Sequence, residues 1–236
     1  MKAKNLLLIL AVGAMAVSCN KGSLNHTSAP LKTASDTASF YIGYMYGTGM
    51  QRMGLKDMNM EALVAGMNSA LQKKEMKTQP QEMDMFLNNY LQQLSIKQAA
   101  ANAEKGKKFL QENAKKSGVD TLANGIQYKV IKQGDGPKPN ATDVVKVHYQ
   151  GTLIDGTEFD SSIKRGEPVT FPLNHVIPGW TTALQAMPVG SKWQVFIPSD
   201  QAYGPRGNSA IGPNETLIFE IELLGIENQN SNEEKK

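Results

Sequence analysis

Residues 147–162 read VHYQGTLIDGTEFDSS. The residues around Tyr149 predict a β-strand, the Asp155-Gly156 pair predicts a turn, and Phe159 and Asp160 follow that turn. No nucleophile elbow, cysteine pair or metal-spaced histidine cluster lies nearby in the sequence. The stretch therefore predicts a carboxylate among aromatic side chains, without the residues that covalent catalysis requires.

The rest of the C-terminal half also has the character of strands and turns. GIQYKVIKQGDGPKP, SKWQVFIPS and TLIFEIELLGI predict further strands, and GWTTALQAM predicts one short helix. A segment rich in Gly and Pro, DQAYGPRGNSAIGPNE, predicts a long loop. This order predicts an α+β fold in which an antiparallel sheet wraps around one short helix.

Residues 36–118 predict helices. SDTASFYIGYMYGTGMQRMG opens with capping residues and ends at a glycine. A third helix over residues 81–117 would extend roughly 55 Å. Its apolar start and polar remainder predict an anchor followed by a spacer. Between the first and third predicted helices, a second helix has an apolar stripe formed by Met60, Leu63, Val64, Met67 and Leu71.

Methionine is concentrated in this helical part, where nine of the twelve methionines lie between Met45 and Met85. They predict either a small helical or dimer core filled with methionine, or a plastic apolar surface that accepts varied partners. Because three helices of this kind make a thin core, we expect residues 36–118 to form a homodimer and also to hold client polypeptides.

The N-terminus, MKAKNLLLILAVGAMAVSC, has two lysines, an apolar run and small residues, which together predict a signal peptide over residues 1–18. Cys19 is the sole cysteine and stands at the predicted cleavage point, as in a bacterial lipobox, so we expect it to be lipidated. Residues 19–35 are polar and aperiodic, which predicts a flexible tether. The tail at residues 228–236 predicts disorder.

Charge and cysteine content exclude several classes of function. The net charge is +3 with 25 basic residues. Removal of residues 1–18 takes away two lysines and no acid, which leaves 23 basic against 22 acidic residues. We expect no nucleic-acid partner, because no Lys/Arg-rich block occurs. A single cysteine allows no disulfide framework or CxxC site, and the residues indicate no metal and no cofactor.

Five motifs in the C-terminal half occur in the order and spacing of a known family: VKVHYQGTL followed by FDSS, then VIPGW, MPVG, IPSDQAYG and IGPNETLIFEIELL. Over residues 125–226 they resemble the FKBP-type peptidyl-prolyl cis-trans isomerases. The helical part resembles that of the two-domain periplasmic and lipoprotein type, which includes the macrophage infectivity potentiators and related chaperone-isomerases. The resemblance implies an FKBP-like isomerase domain over residues 119–227.

The resemblance also implies a pocket for proline. Trp180 would form its floor, the Ile177 N–H would hold a substrate carbonyl, and Ile211 would close its rim. Val169 stands where many family members carry a phenylalanine on the pocket wall. The residues implied in substrate binding are Tyr149, Arg165, Val176, Ile177, Trp180, Ile211 and Phe219.

Three residues are implied in catalysis, namely Phe159, Asp160 and Tyr203. Asp160 would be held by Tyr149 and Arg165, and the Tyr203 hydroxyl would bind a second substrate carbonyl. Isomerisation of an X-Pro bond breaks no covalent bond, and its barrier of about 18–20 kcal/mol arises from amide resonance. An apolar pocket lowers that barrier because it disfavours the charge-separated planar amide relative to the twisted one.

The function implied is an envelope-anchored, dimeric prolyl isomerase that acts on unfolded or partly folded exported polypeptides. It would be lipid-anchored and would face the periplasm or lie at the outer membrane. Two alternatives are an envelope holdase chaperone and an adaptor subunit, in both of which isomerisation would be secondary. A fragment that begins near Val119 would keep every implied pocket residue, so we expect it to isomerise short peptides nearly as well as the whole chain.

Overall fold

The computed structural model describes residues 30–55 and 57–227. Predictions for the signal peptide, for Cys19, for most of the tether and for the C-terminal tail lie outside the described residues. The chain divides into two compact units with boundaries at positions 43/44, 57/58 and 74/75. Among the described residues, no helix is long and apolar enough to cross a membrane.

Three helices form the N-terminal part: α1 (Ala34–Arg52), α2 (Met60–Leu71) and α3 (Pro80–Asn113). At the start of α1, the Thr33 N–H donates to Asp36 and the Asp36 N–H donates to Thr33 in a reciprocal cap. Asn59 caps α2 through the Ala62 N–H, and Pro80 occupies the first turn of α3. The third helix ends at Asn113, four residues before the predicted end at residue 117.

The C-terminal part is a seven-stranded antiparallel sheet. The strands are β1 (Val119–Thr121), β2 (Gln127–Lys132), β3 (Val144–Leu153), β4 (Glu158–Ser161), β5 (Val169–Pro172), β6 (Lys192–Ile197) and β7 (Leu217–Glu227). Their order in the sheet is β1-β2-β6-β7-β3-β4, and β5 pairs with β3. Two short helices, α4 (Ser162–Arg165) and α5 (Pro178–Ala186), complete this part.

The hydrophobic core lies between this sheet and α5. Its position follows from the alternation of buried and partly exposed residues along the strands. Alternate residues of β3 and β7 are buried while their neighbours are partly exposed. On α5, Trp180, Ala183 and Leu184 are buried against them. The predicted α+β fold, with an antiparallel sheet around a short helix, is confirmed.

The polar half of α3, for which the sequence predicts a spacer, packs against the sheet. The Phe109 ring lies 5.9 Å from that of Phe196. Asn113 donates to Gln127 at 2.9 Å, and Gln127 donates to the Leu110 carbonyl at 2.8 Å. Polar side chains and one aromatic ring make this interface, so the apolar periodicity that predicts packed helices gives no signal here.

Candidate active site

A cavity of about 550 Å³ opens between the sheet, α5 and the loop after β6. The sequence predictions place ten side chains at a proline site, and nine of them line this cavity. The tenth, Arg165, stands behind it and binds two of the lining residues. The nine are Tyr149, Phe159, Asp160, Val176, Ile177, Trp180, Tyr203, Ile211 and Phe219.

Trp180 forms the floor of the cavity and is 4% exposed. Its ring meets Tyr149 at 5.1 Å, Phe219 at 5.2 Å and Phe171 at 5.7 Å, all nearly perpendicular. Edge-to-face contacts of this kind hold aromatic rings in fixed orientations. The indole Nε1 is buried and has no hydrogen-bond partner among the described residues. The floor is therefore apolar and rigid.

A bulge between β3 and β4 brings Phe159 and Asp160 into the same cavity. Consecutive residues of a regular strand point to opposite faces of the sheet. Here the pairing register shifts between Gly151 and Thr152, and such a bulge redirects side chains. Gly151 gives the ring room, because a Cβ at this position would lie 2.6 Å from Phe159 and 2.8 Å from Phe219.

Asp160, Tyr149 and Arg165 form a closed triangle of hydrogen bonds beside the cavity. The Tyr149 hydroxyl donates to Asp160 Oδ2 at 2.5 Å, and Arg165 Nη1 donates to Asp160 Oδ1. Arg165 Nη2 donates to the Tyr149 hydroxyl oxygen at 2.9 Å. Both carboxylate oxygens therefore have a donor, and the carboxylate is fixed in orientation.

The triangle keeps Asp160 charged. Burial raises the pKa of this carboxyl, but the hydrogen bonds from Tyr149 and Arg165 outweigh burial and hold the pKa below its ordinary value. Burial and then the hydrogen bond to Asp160 raise the pKa of Tyr149. Burial and the charge of Asp160 likewise raise the pKa of Tyr203. At neutral pH the cavity thus contains one carboxylate and two protonated phenols.

Two groups at the rim are free to bind a ligand. The Tyr203 side chain is 40% exposed, and its hydroxyl makes no hydrogen bond with another described residue. The Ile177 N–H, just before α5, likewise donates to no other described residue. Both groups can therefore donate to the carbonyl oxygens of a bound peptide.

Five lining residues are not among the sequence predictions: Phe171, His175, Asn208, Ser209 and Ala210. Phe171 has a signal in the sequence, because it is two residues after Val169 on β5 and shares its face by the period of a strand. Val169 itself packs against the core and is not among the lining residues. The three residues before Ile211 belong to an irregular loop, where no periodic signal exists.

A serine beside a histidine near the cavity has a structural role. Ser162 Oγ lies 3.1 Å from His148 Nδ1, but this hydroxyl is buried and occupied by the backbone. It accepts the Tyr149 N–H at 2.8 Å and donates to the Tyr149 carbonyl at 3.2 Å. The described residues also include no cluster of three potential metal ligands.

A cavity with an aromatic floor and one oriented carboxylate, in a described part of the chain that holds no cluster of metal ligands, is typical of an enzyme that rearranges a bound ligand without covalent catalysis. Comparison with known proteins identifies the family. Residues 136–224 match the FKBP-type peptidyl-prolyl cis-trans isomerase family, and residues 35–130 match the domain amino terminal to FKBP-type peptidyl-prolyl isomerase. The chain belongs to the FKBP-type peptidyl-prolyl cis-trans isomerases.

Similarity to relatives extends over most of the chain. An FKBP-type 22 kDa peptidyl-prolyl cis-trans isomerase of Escherichia coli is 46% identical over 85% of this chain and 99% of that protein. The outer membrane protein MIP of Legionella longbeachae is 42% identical over 93% of this chain and 97% of that protein. The crystal structure of FkpA from Escherichia coli has a TM-score of 0.61 at 37% identity and covers 83% of this chain and 98% of that chain. The predicted family and its enzymatic activity are confirmed.

Proposed function

We propose that the cavity above Trp180 is the isomerase site and that it binds the proline ring of an X-Pro segment in exported proteins. The observation that carries this proposal is the combination of a buried aromatic floor with an oriented carboxylate at its edge. An apolar floor accepts the ring and removes water from the amide nitrogen. Loss of water disfavours the charge-separated planar amide, so the twisted form becomes easier to reach.

The other groups have separate roles in this proposal. The Ile177 N–H and the Tyr203 hydroxyl bind substrate carbonyls and fix the peptide on either side of the rotating bond. Val176, Phe219 and Ile211 enclose the ring. Phe159 and Asp160 face the rotating amide, where the carboxylate interacts with its changing dipole.

Replacement of Asp160 tests the assignment of the site. Asp160→Leu removes the carboxylate, and we expect turnover of a short X-Pro peptide to fall about tenfold, equivalent to 1.36 kcal/mol. Asp155→Asn, at the exposed turn before β4, serves as a matched control and should leave turnover unchanged. Unchanged turnover in a folded Asp160→Leu protein would remove Asp160 from the site.

We also propose that residues 36–118 form a homodimer and hold clients, while residues 119–227 form the isomerase domain. Six of the seven residues from Phe40 to Tyr46 are large apolar or aromatic side chains, each at least 43% exposed in the single chain. Consecutive residues of a helix point in all directions, so α1 is apolar on every side and needs cover on several sides. A second copy of α1 provides that cover.

Substitution of Tyr44 and Met45 by glutamate tests the dimer. These two side chains are 69% and 73% exposed, so the single chain tolerates charge there, whereas a dimer core does not. Sedimentation should change from dimer to monomer, and delay of aggregation of an unfolded protein should weaken. A wild-type protein that sediments as a monomer would refute the dimer.

The proposed location is the bacterial envelope, through lipid on Cys19. A relative named as an outer membrane protein supports an envelope location, and the predicted signal peptide supports export. Because acyl chains would be the anchor, Cys19→Ser should move the protein from the membrane fraction to the soluble periplasmic fraction. Wild-type protein in the aqueous phase of a detergent extraction would refute the anchor.

A further inference from the structure

The rim of the cavity belongs to a loop that has little secondary structure of its own. This pocket loop, residues 204–216, contributes Asn208, Ser209, Ala210 and Ile211 to the cavity lining. Most of its internal bonds are local, since Asn208 Oδ1 accepts the N–H groups of Ala210 and Ile211, both at 2.8 Å. One longer-range bond joins its two ends, from the Asn214 N–H to the Gly204 carbonyl at 2.9 Å. Irregular loops of this kind are mobile unless other contacts fix them.

The second half of α3 supplies such contacts, immediately after the lining residues. Asn102 Nδ2 donates to the Pro213 carbonyl at 2.8 Å. In the reverse direction, Asn214 Nδ2 donates to the Ala99 carbonyl at 3.2 Å. Two neighbouring loop residues are thus bound to one turn of the helix by reciprocal hydrogen bonds. Because Ile211 is only two residues before Pro213, these bonds fix the position of the rim.

Close packing continues this contact one turn further along α3. A Cβ on Gly106 would lie 2.3 Å from Thr216 Oγ1, so the helix backbone touches the end of the pocket loop. Residues 99, 102 and 106 share one face of the helix. Asn214 has a φ of 53°, a left-handed conformation that asparagine tolerates better than most residues. The same residue therefore turns the loop and binds the helix.

We propose that α3 positions the catalytic pocket: Asn102 and Gly106 of the helix, together with Asn214, hold the pocket loop so that Ile211 and Tyr203 stand at the rim. These three are positioning residues, since none of them touches the cavity. The inference rests on the proposed function, in which the cavity above Trp180 is the isomerase site. It assigns to the N-terminal part of the chain a share in catalysis on short peptides.

Asn214→Gly in the full-length chain is the sharpest test, because glycine keeps the left-handed backbone and removes only the side-chain donor. We expect kcat/KM for an X-Pro peptide with an apolar residue before proline to fall about fivefold, with most of the loss in KM. Hydrogen exchange at the amides of Asn208 and Ile211 should accelerate, while exchange in β3 and β7 stays unchanged. Asn102→Ala should have the same effect, and Asn88→Ala, at an exposed position of the same helix, should have none.

A rescue experiment separates positioning from general stability. Gly106→Ala should lower kcat/KM because the added methyl meets the Thr216 hydroxyl. Gly106→Ala combined with Thr216→Ala should recover most of the Thr216→Ala value. The only remaining close neighbour is then the Cβ of residue 216 at 3.3 Å, a tight contact that a shift of a few tenths of an ångström relieves. Gly66→Ala on α2, where a Cβ meets nothing within 4 Å, controls for the change of residue type and should leave kcat/KM unchanged.

Three outcomes overturn the inference. If the wild type isomerises the peptide and Asn214→Gly and Asn102→Ala keep its kcat/KM, α3 has no positioning role, although the proposed function stands. If the wild type does not isomerise the peptide at all, the proposed function fails, and the positioning role fails with it. A fall in kcat/KM accompanied by faster exchange throughout the sheet would show loss of folding instead of loss of position, and would also overturn the inference.

Discussion

The hydrogen-bonded triangle of Tyr149, Asp160 and Arg165 leads to a prediction about one atom, the hydroxyl oxygen of Tyr149. Tyr149→Phe removes the hydroxyl and leaves the ring, whose contact with Trp180 at 5.1 Å is made by carbon atoms. Tyr149 is 5% exposed and belongs to the hydrophobic core, so the remaining ring should keep its packing. Asp160 then keeps only Arg165 as a side-chain partner.

The magnitude follows from the type of bond that is lost. Hydrogen bonds with a charged partner contribute about 1.5–3 kcal/mol to stability. The Asp160 side chain is 41% exposed, so water recovers part of that contribution, and we expect the free energy of unfolding to fall by only about 1 kcal/mol. Because the carboxylate loses one of its two orienting donors, kcat/KM on an X-Pro peptide should fall roughly tenfold, which corresponds to 1.36 kcal/mol.

The assay is peptide isomerisation followed by line-shape or exchange spectroscopy, with unfolding measured on the same samples. Tyr128→Phe is the matched control, because Tyr128 stacks on Trp193 at 4.3 Å and lies away from the cavity. It should leave kcat/KM unchanged. A Tyr149→Phe protein with full kcat/KM and normal unfolding would show that the orientation of Asp160 does not matter, and would refute the reasoning.

Two further predictions concern the same site. Gly151→Ala should displace the rings of Phe159 and Phe219, lower stability by about 1–3 kcal/mol through overpacking and reduce peptide turnover. Gly225→Ala on β7, where a Cβ meets nothing within 4 Å, is the control and should leave stability and turnover unchanged. Equal turnover in the two variants would contradict the assigned role of Gly151. The lowered pKa of Asp160 contributes stability above the ordinary carboxyl pKa of about 3.9, and this contribution is lost as pH falls through the lower folded-state pKa. Wild type should therefore be more stable than Asp160→Asn from pH 7 to 5, and the difference should shrink as pH falls below about 4. A difference that does not depend on pH would contradict the ion pair.

The sequence predicts the sheet and much of the cavity because the relevant signals are local. Alternation along residues 144–153 and 217–223 sets the buried face, and Asp155-Gly156 sets the turn that precedes Phe159 and Asp160. Asp160 and Tyr149 come together because β3 and β4 are adjacent in the chain and pair directly. The remaining cavity residues are predicted from the five sequence motifs that resemble those of the FKBP-type family.

The contact between α3 and the pocket loop has no such signal. Asn102 and Pro213 are 111 residues apart, and an asparagine on a helix surface is typical of a solvated position. The residues between 99 and 113 also lack the apolar stripe by which a packed helix is predicted. The contact with the pocket loop consists of two amide-to-carbonyl bonds and a backbone contact at Gly106, and only the folded chain brings these groups together.

This contact bears on the prediction made for a fragment that begins near Val119. From the sequence, a fragment starting near Val119 keeps every pocket residue and should isomerise peptides nearly as well as the whole chain. In the structure that fragment loses Asn102, Gly106 and the Phe109 ring that packs on Phe196. If α3 positions the rim, the proposed isomerase domain at residues 119–227 depends on α3 from about residue 98 for the placement of its pocket loop.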